Sequence, residues 1–443
     1  MATRGLLAAG DKGLCSQIAL IKRLMKKVLM IAFHFPPFAG SSGVQRTLRF
    51  VQHFPALGWQ PLVLSAHPRA YEKTALDLLA EVPVGTVVKR AFALDTSRHL
   101  QLHGHYLGWM ARPDRWMSWK LDAVRQGLKL IEAHKPDAIW STYPIASAHA
   151  IASILHQKSN LPWIADFRDP MAQEGYPSDQ KTWRSYQSIE ADAVLRAKTC
   201  VFTTPGAARM YQLRYPEAAD QMRVVENGYD EESFAFKPSP KVRLPYDGCL
   251  LDSGPLPFIL LHSGLVYPSE RDPTQLFAAL SYLKASGQLS PHEFRIRFRA
   301  SGYEGLLQKL GNDYGVSDYI ESMPAIPYRE ALEEMMTVDA LLIMQASNCN
   351  AQIPAKIYEY LRAKKSILGL TDPSGDTAAA LKNAGIDTVA RLDSVDDIIK
   401  ILPKFVAECR SGSNKLPHAH VVEQASRRHR SAALVALLNE SIK

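Results

Sequence analysis

Apolar runs of strand length recur along this chain, each followed by a stretch whose apolar residues return at helical spacing. Residues 28–33, 61–66, 87–92, 138–142, 163–166 and 200–204 are such runs. A run that stays apolar without alternating is a strand buried on both faces. Between runs, Val44, Leu48, Val51 and Phe54 recur with a helical period, and residues 145–157 read as a helix. Strands that alternate with helices predict a parallel sheet covered on both sides. A short strand at 223–225 runs into Asn227-Gly228, a turn signal. After a Pro- and Gly-punctuated stretch the alternation restarts. Residues 258–262, 295–300, 340–344 and 366–370 then read as strands, and 274–283, 328–336, 355–363 and 377–384 as helices. The predicted fold class is α/β, with two doubly wound domains.

A chain of 443 residues is also too long for one core, since single cores stop growing at roughly 250–300 residues. The punctuation divides it into an extension at 1–26, a first domain at 27–235, a linker at 236–257 and a second domain at 258–415. A helical segment at 416–443, with residues 421–438 read as helix, packs back toward the first domain. Five widely spaced cysteines without a Cys-x-x-Cys pair are neither a disulfide framework nor a zinc site, and a reducing, cytoplasmic compartment follows. The net charge of +8 suits a phosphate-bearing substrate or an anionic membrane face. It is spread over the chain without a Lys/Arg block, so a basic solvated surface fits equally and no nucleic-acid partner is expected. No apolar run reaches the roughly 18 residues of a membrane span. Leu14, Ile18, Ile21 and Met25 share a helical face beside Lys22, Arg23, Lys26 and Lys27, a pattern suited to a membrane surface. A loosely ordered extension, or an amino terminus at Met25, explains the same residues and is preferred.

Four segments carry chemistry. The first strand leads through His34-Phe35-Pro36-Pro37-Phe38-Ala39-Gly40-Ser41-Ser42-Gly43 into a helix. Gly40 and Gly43 there make either an anion cradle at a helix N-terminus or a plain strand–helix turn. The restarted alternation has a matching turn, His262-Ser263-Gly264 through Arg271-Asp272-Pro273. Gly264 permits close approach, and Arg271 offers a planar fork for a diphosphate or a surface pair with Asp272. Pro354 suits a helix start. Lys356 follows it in the first turn, where a cation is electrostatically poor, and Glu359 lies three residues on, on the same face. Glu359 can accept both hydroxyls of a ribose, or the two form a solvated ion pair. Last, Asp166, Arg168 and Asp169 cluster at a strand end, where parallel sheets open onto ligands; an N-cap with a local salt bridge is the alternative. No Asp-x-Asp, Walker A, G-x-G-x-x-G, His-Glu-x-x-His or G-x-S-x-G sequence occurs.

Together these residues resemble GT-B glycosyltransferases of family 4. The resemblance is carried by Phe35-Pro36-Pro37 with Gly40 and Gly43-Val44-Gln45-Arg46, Asp166 to Pro170, Asn227 to Asp230, His262 to Pro273 and Pro354 to Tyr360, in order, over most of the chain. It implies two Rossmann-like domains across a cleft, with 27–235 meeting the acceptor and 258–415 holding the donor, and metal-independent transfer, with retention, from a nucleotide-diphosphate sugar. No cofactor besides that donor is expected. The implied acceptor is a glycan or lipid-linked intermediate of surface polysaccharide assembly, met at the inner face of a membrane. Gly40 and Gly43 would line donor phosphates and acceptor, Arg271 the diphosphate, with Lys356 as a substitute partner there, and Glu359 the ribose. Asp166, Arg168 and Asp169 would stand beside the transferred sugar. One departure is clear: the family pairs this Glu with another eight residues earlier, and here that position is Ala351. It leaves a non-catalytic member, or a sugar-nucleotide epimerase of the same fold, as the alternatives.

Overall fold

The computed structural model describes residues 25–39, 43–236 and 256–443. The amphipathic segment at 14–27, the linker read at 236–257, and Gly40 therefore lie wholly or largely outside the described residues. Among those described, two parallel sheets form. The first comprises β1 (Lys26–Ile31), β2 (Trp59–Ala66), β3 (Val87–Ala91), β4 (Ala138–Thr142), β5 (Trp163–Arg168), β6 (Thr199–Phe202) and β7 (Met222–Val224), in the order β3-β2-β1-β4-β5-β6-β7. The second comprises β8 (Phe258–Ser263), β9 (Phe294–Arg299), β10 (Ile320–Met323), β11 (Ala340–Gln345), β12 (Ser366–Thr371) and β13 (Val389–Ala390), in the order β10-β9-β8-β11-β12-β13. Both are doubly wound. Strand order reverses beside β1 in one sheet and beside β8 in the other, and ligands of open α/β sheets bind past the strand ends at such a reversal.

Burial explains the unbroken apolar runs. In β1, Leu29 and Ile31 join the core on one face of the sheet, while Val28 and Met30 join the core on the other. In β8, Phe258 and Leu260 divide from Ile259 and Leu261 in the same way. Each residue is thus apolar because each face is covered. The sequence reading passed over β10 and β13. The first carries Glu321 and Ser322 on an edge, and the second is two residues long, so neither shows an apolar run.

The chain separates into two compact units. Unit 1 holds the residues up to Thr203, Ala207–Glu226 and Arg430–Lys443; unit 2 holds Thr204–Gly206 and Asn227–His429. The changes of unit at Asn227 and Arg430 differ from the boundaries at 235 and 416 read from punctuation. Within unit 1 the C-terminal residues Leu434, Val435 and Leu438 share a core with Phe50, Trp59 and Trp140, and Asn439 accepts from Lys26 Nζ at 2.8 Å.

The stretch read as one helix at 421–438 is instead two, Ala419–Gln424 and Arg427–Ser441. The break is made by the turn at Asn227-Gly228. The Tyr229 amide donates to the Ala425 carbonyl at 3.1 Å, and the Arg427 amide donates to the Tyr229 carbonyl at 2.8 Å. Backbone groups that would continue the helix are spent on this pairing. Gly228 is required there, because a Cβ would stand 2.5 Å from the Ala425 oxygen.

Candidate functional site

In unit 2 the loop after β8 begins at the sheet's reversal point. Gly264 has φ +135°, a conformation that L side chains rarely adopt. A Cβ there would lie 3.9 Å from Lys356 Cε, so the Lys356 stem passes over this glycine. Lys356 opens the helix Lys356–Ala363, and the next residues fix that helix to the strand end. Tyr360, fully buried, accepts a hydrogen bond from the Ser263 amide at 2.8 Å. The helix start and the glycine loop are therefore held as one surface.

Glu359 lies at the centre of that surface. Lys356 Nζ is 3.0 Å from its Oε2, and the Tyr328 hydroxyl donates to its Oε1 at 2.8 Å. Lys356 Nζ also lies 6.0 Å above the Tyr328 ring. The pair is not simply solvated: the Glu359 side chain is 13% exposed against 36% for Lys356. Tyr328, which heads the helix Tyr328–Thr337, was not singled out from sequence. Its signal was available, since it follows Pro324 and Pro327, which end one strand loop and open a helix.

Arg271 reaches the same loop from its other end. Its Nη1 donates to the Leu265 carbonyl at 2.9 Å and its guanidinium lies 5.4 Å from the Tyr267 ring centroid. Neither contact neutralises the charge. Asp272, the alternative partner, is engaged by Thr274 instead, accepting from its amide at 2.9 Å and from its hydroxyl at 2.5 Å. Ala351 lies in the loop after β11, next to Asn350, whose side-chain amide donates to Asp372 at 2.7 Å.

Beneath these cations sits His262. Its Nδ1 faces the Leu342 carbonyl at 3.0 Å, which assigns the proton to Nδ1. Burial, with Arg271 and Lys356 adding to it, pushes its pKa down to about 4. In unit 1 burial pushes His34 and His149 down to about 3. An unfolded chain protonates its histidines near 6.5, so between 6.5 and about 4 the unfolded state holds the extra protons. Stability is thus fully present above pH 6.5 and falls as pH drops through that interval. Urea midpoints should decrease across it. His262→Asn keeps a donor toward Leu342, cannot titrate, and should make the decline shallower, His34 and His149 still contributing. A midpoint that holds steady over the interval contradicts this.

In unit 1, β5 explains where its charged residues point. Asp166 follows Ile164 by two, so it faces the side of the sheet that the helix Gly43–His53 covers. Arg46 from that helix meets it with a fork: Nε to Oδ2 at 2.9 Å and Nη2 to Oδ1 at 3.3 Å. Arg46 also donates to the Val225 and Glu226 carbonyls at 2.9 and 3.1 Å. Asp166 has no exposed surface. The Asp166 carboxylate is thus taken up by Arg46, the partner the sequence reading missed.

Past Asp166 the register of β5 shifts, and Arg168 takes φ +60°. A non-glycine residue there costs of order 1–3 kcal/mol and such strain gathers at functional sites. The bulge turns Asp169 out to solvent, and the Thr203 amide and hydroxyl hold the Arg168 carbonyl at 3.0 and 2.9 Å. Burial lowers the Arg168 pKa, with Asp169 opposing it, and the Arg168 charge helps hold His34 neutral. His34 ends the same reversal point at β1, stacked on Phe38 at 4.4 Å. Gly43 is buried at the head of its helix. Upstream, Phe38 pairs with Thr74, and the Ala39 amide donates to the Lys73 carbonyl at 3.0 Å. Gly264, Arg271, Lys356 and Glu359 thus share one surface of unit 2, and Arg168 and Asp169 one strand end of unit 1.

Comparison with known proteins agrees with this layout. Residues 42–228 match the family model of the glycosyl transferase 4-like domain. No curated protein matches the chain. Among solved structures, a glycosyltransferase from Rickettsia africae ESF-5 superposes with a TM-score of 0.60 at 13% identity, covering 95% of this chain and 99% of that one. Anabaena Alr3699/HepE in complex with UDP and glucose gives 0.59 at 13% identity, covering 94% and 100%. The lipopolysaccharide outer core galactosyltransferase WaaB in its apo form gives 0.57 at 12%, covering 93% and 99%. At such identities the likeness is one of fold.

Proposed function

We propose that this chain, whose residues 42–228 match the glycosyl transferase 4-like domain, is a GT-B glycosyltransferase that moves a sugar from a nucleotide-diphosphate donor to a glycan or lipid-linked acceptor. Transfer proceeds with retention of anomeric configuration and without a metal ion. The observation that carries the reading is the Glu359 cluster: a carboxylate held by Lys356 and Tyr328 over the Gly264 loop, with Arg271 at that loop's far end. Glu359 takes the ribose hydroxyls. Arg271 and Lys356 face the diphosphate. As the sugar–phosphate bond breaks, negative charge grows on the leaving diphosphate, and cations already in place lower the barrier without reorganising. The neutral His262 beneath them adds no competing charge. UDP and glucose in the HepE structure support a donor of this class.

In unit 1, the loop holding Gly40 and Gly43 meets donor phosphates and acceptor, and Arg168 and Asp169 flank the transferred sugar. Asp166 acts through Arg46, holding the helix that this loop enters. The acceptor belongs to surface polysaccharide assembly, a reading supported by the likeness in fold to the lipopolysaccharide outer core galactosyltransferase WaaB. The chain works in the cytoplasm at the inner face of a membrane. Among the described residues no helix is long and apolar enough to cross one, and a surface contact suffices to meet a lipid-linked acceptor.

Arg271→Ala tests the donor side. A bidentate guanidinium–phosphate contact is among the stronger hydrogen bonds, so donor binding should weaken at least tenfold, about 1.4 kcal/mol. An unchanged dissociation constant removes Arg271 from the diphosphate and with it this reading.

A further inference from the structure

One exposed loop of unit 1 has no part in the chemistry above. Between the helix Thr96–His99 and the short 3-10 helix Gly108–Ala111, every residue is exposed. Its base is tied: the Thr96 amide donates to the Arg115 carbonyl at 2.8 Å, and the Thr96 hydroxyl to the Met110 carbonyl at 2.8 Å. Its tip is tied as well. Leu102 and His105 exchange backbone hydrogen bonds of 2.8 and 3.0 Å across His103 and Gly104, whose φ values are +51° and +81°. Two successive positive φ values make the tight hairpin turn that suits strand twist. The loop is a built protrusion.

That protrusion is apolar where it should be polar. Leu102 is 74% exposed, Leu107 62% and Trp109 63%, with Leu100 and Tyr106 also exposed. From Arg98 to Arg112 there is no Asp or Glu, while Arg98, Arg112 and three histidines supply only neutral or positive groups. Arg112 has Asp179 at 3.7 Å beyond the loop, and the Arg98 guanidinium donates to the Tyr71 carbonyl at 2.5 Å. Contiguous exposed apolar side chains mark an interaction surface. A Trp and a Tyr among leucines, with an arginine at each end of the loop and no carboxylate within it, is the composition that settles at a bilayer's polar–apolar boundary and is drawn by anionic headgroups.

We infer that the loop from Arg98 to Arg112 is a membrane-docking element, which inserts Leu102, Leu107 and Trp109 into the interface of an anionic bilayer. The inference rests on the lipid-linked acceptor proposed above and names the surface that brings the chain to it.

Flotation of the full chain with vesicles of phosphatidylglycerol and phosphatidylcholine tests it, against phosphatidylcholine alone. The wild type should float with the mixed vesicles and less with the neutral ones. The triple variant L102S/L107S/W109S should float at least tenfold less, with an unchanged melting temperature and unchanged affinity for its nucleotide sugar. Brominated lipid should quench tryptophan fluorescence in the wild type and less in Trp109→Phe. A wild type that does not float, or a triple variant that floats equally well, overturns the inference. So does loss of a dimer in the variant by sedimentation, which would make the loop a contact between two copies. If flotation behaves as expected and no nucleotide sugar binds either form, the functional reading fails and the docking loop stands.

Discussion

Arg46→Ala should cost about 3–5 kcal/mol of stability, the usual penalty for removing one partner of a buried ion pair. At about 2–4 °C per kcal/mol for a domain of this size, the melting temperature falls by roughly 10 °C. The reason is the setting. Asp166 has no exposed surface, and the guanidinium that meets both its oxygens also satisfies the Val225 and Glu226 carbonyls. Removing it strands a buried carboxylate and two carbonyl groups at once. Arg46→Lys keeps the charge without the fork and should fall between. Adding Asp166→Ala to Arg46→Ala should recover part of the loss, because the uncompensated charge goes with it. Calorimetric melting of the four proteins checks this; a melting temperature untouched by Arg46→Ala contradicts it.

Glu359→Gln should have the largest effect on ligand binding. The substitution keeps the side chain's shape and removes its charge. Hydrogen bonds to a charged acceptor contribute about 1.5–3 kcal/mol, so losing that charge beneath two ribose hydroxyls should raise the donor's dissociation constant about a hundredfold. The melting temperature should barely move, since an ion pair whose lysine is 36% exposed contributes little to folding. That split separates a binding carboxylate from a structural one. Equal donor affinity in the two proteins places the ribose elsewhere.

The double winding was legible because both faces of each central strand are covered, which forces unbroken apolar runs such as those of β1 and β8. Edge strands escape that rule, and β10 and β13 were not legible for that reason. The break at Ala425–Ser426 was hidden for a different one: it is made by partners some two hundred residues away, the turn at Gly228 and Tyr229. At the candidate site, Lys356 and Gly264 could be picked out because each breaks a local preference, as a cation at a helix start or a glycine at a strand end does, Glu359 by its spacing from Lys356, and Arg271 by its fork in the matching loop. The partner of Asp166 was not legible because a carboxylate at a strand end looks the same whether it faces solvent or the helix behind. Only the alternation from Ile164 separates the two, and the bulge at Arg168 obscures it. Tyr328 and Tyr360 act by contacts across the fold, which spacing alone does not reveal.

The central claim is that the surface formed by Gly264, Arg271, Lys356 and Glu359 holds a nucleotide-diphosphate sugar. Titration calorimetry of the full chain with UDP-, GDP- and ADP-sugars addresses it directly. The expected result is saturable binding of at least one of them to the wild type, weakened about a hundredfold in Glu359→Gln. Absence of binding to every nucleotide sugar by a folded wild type would contradict the account.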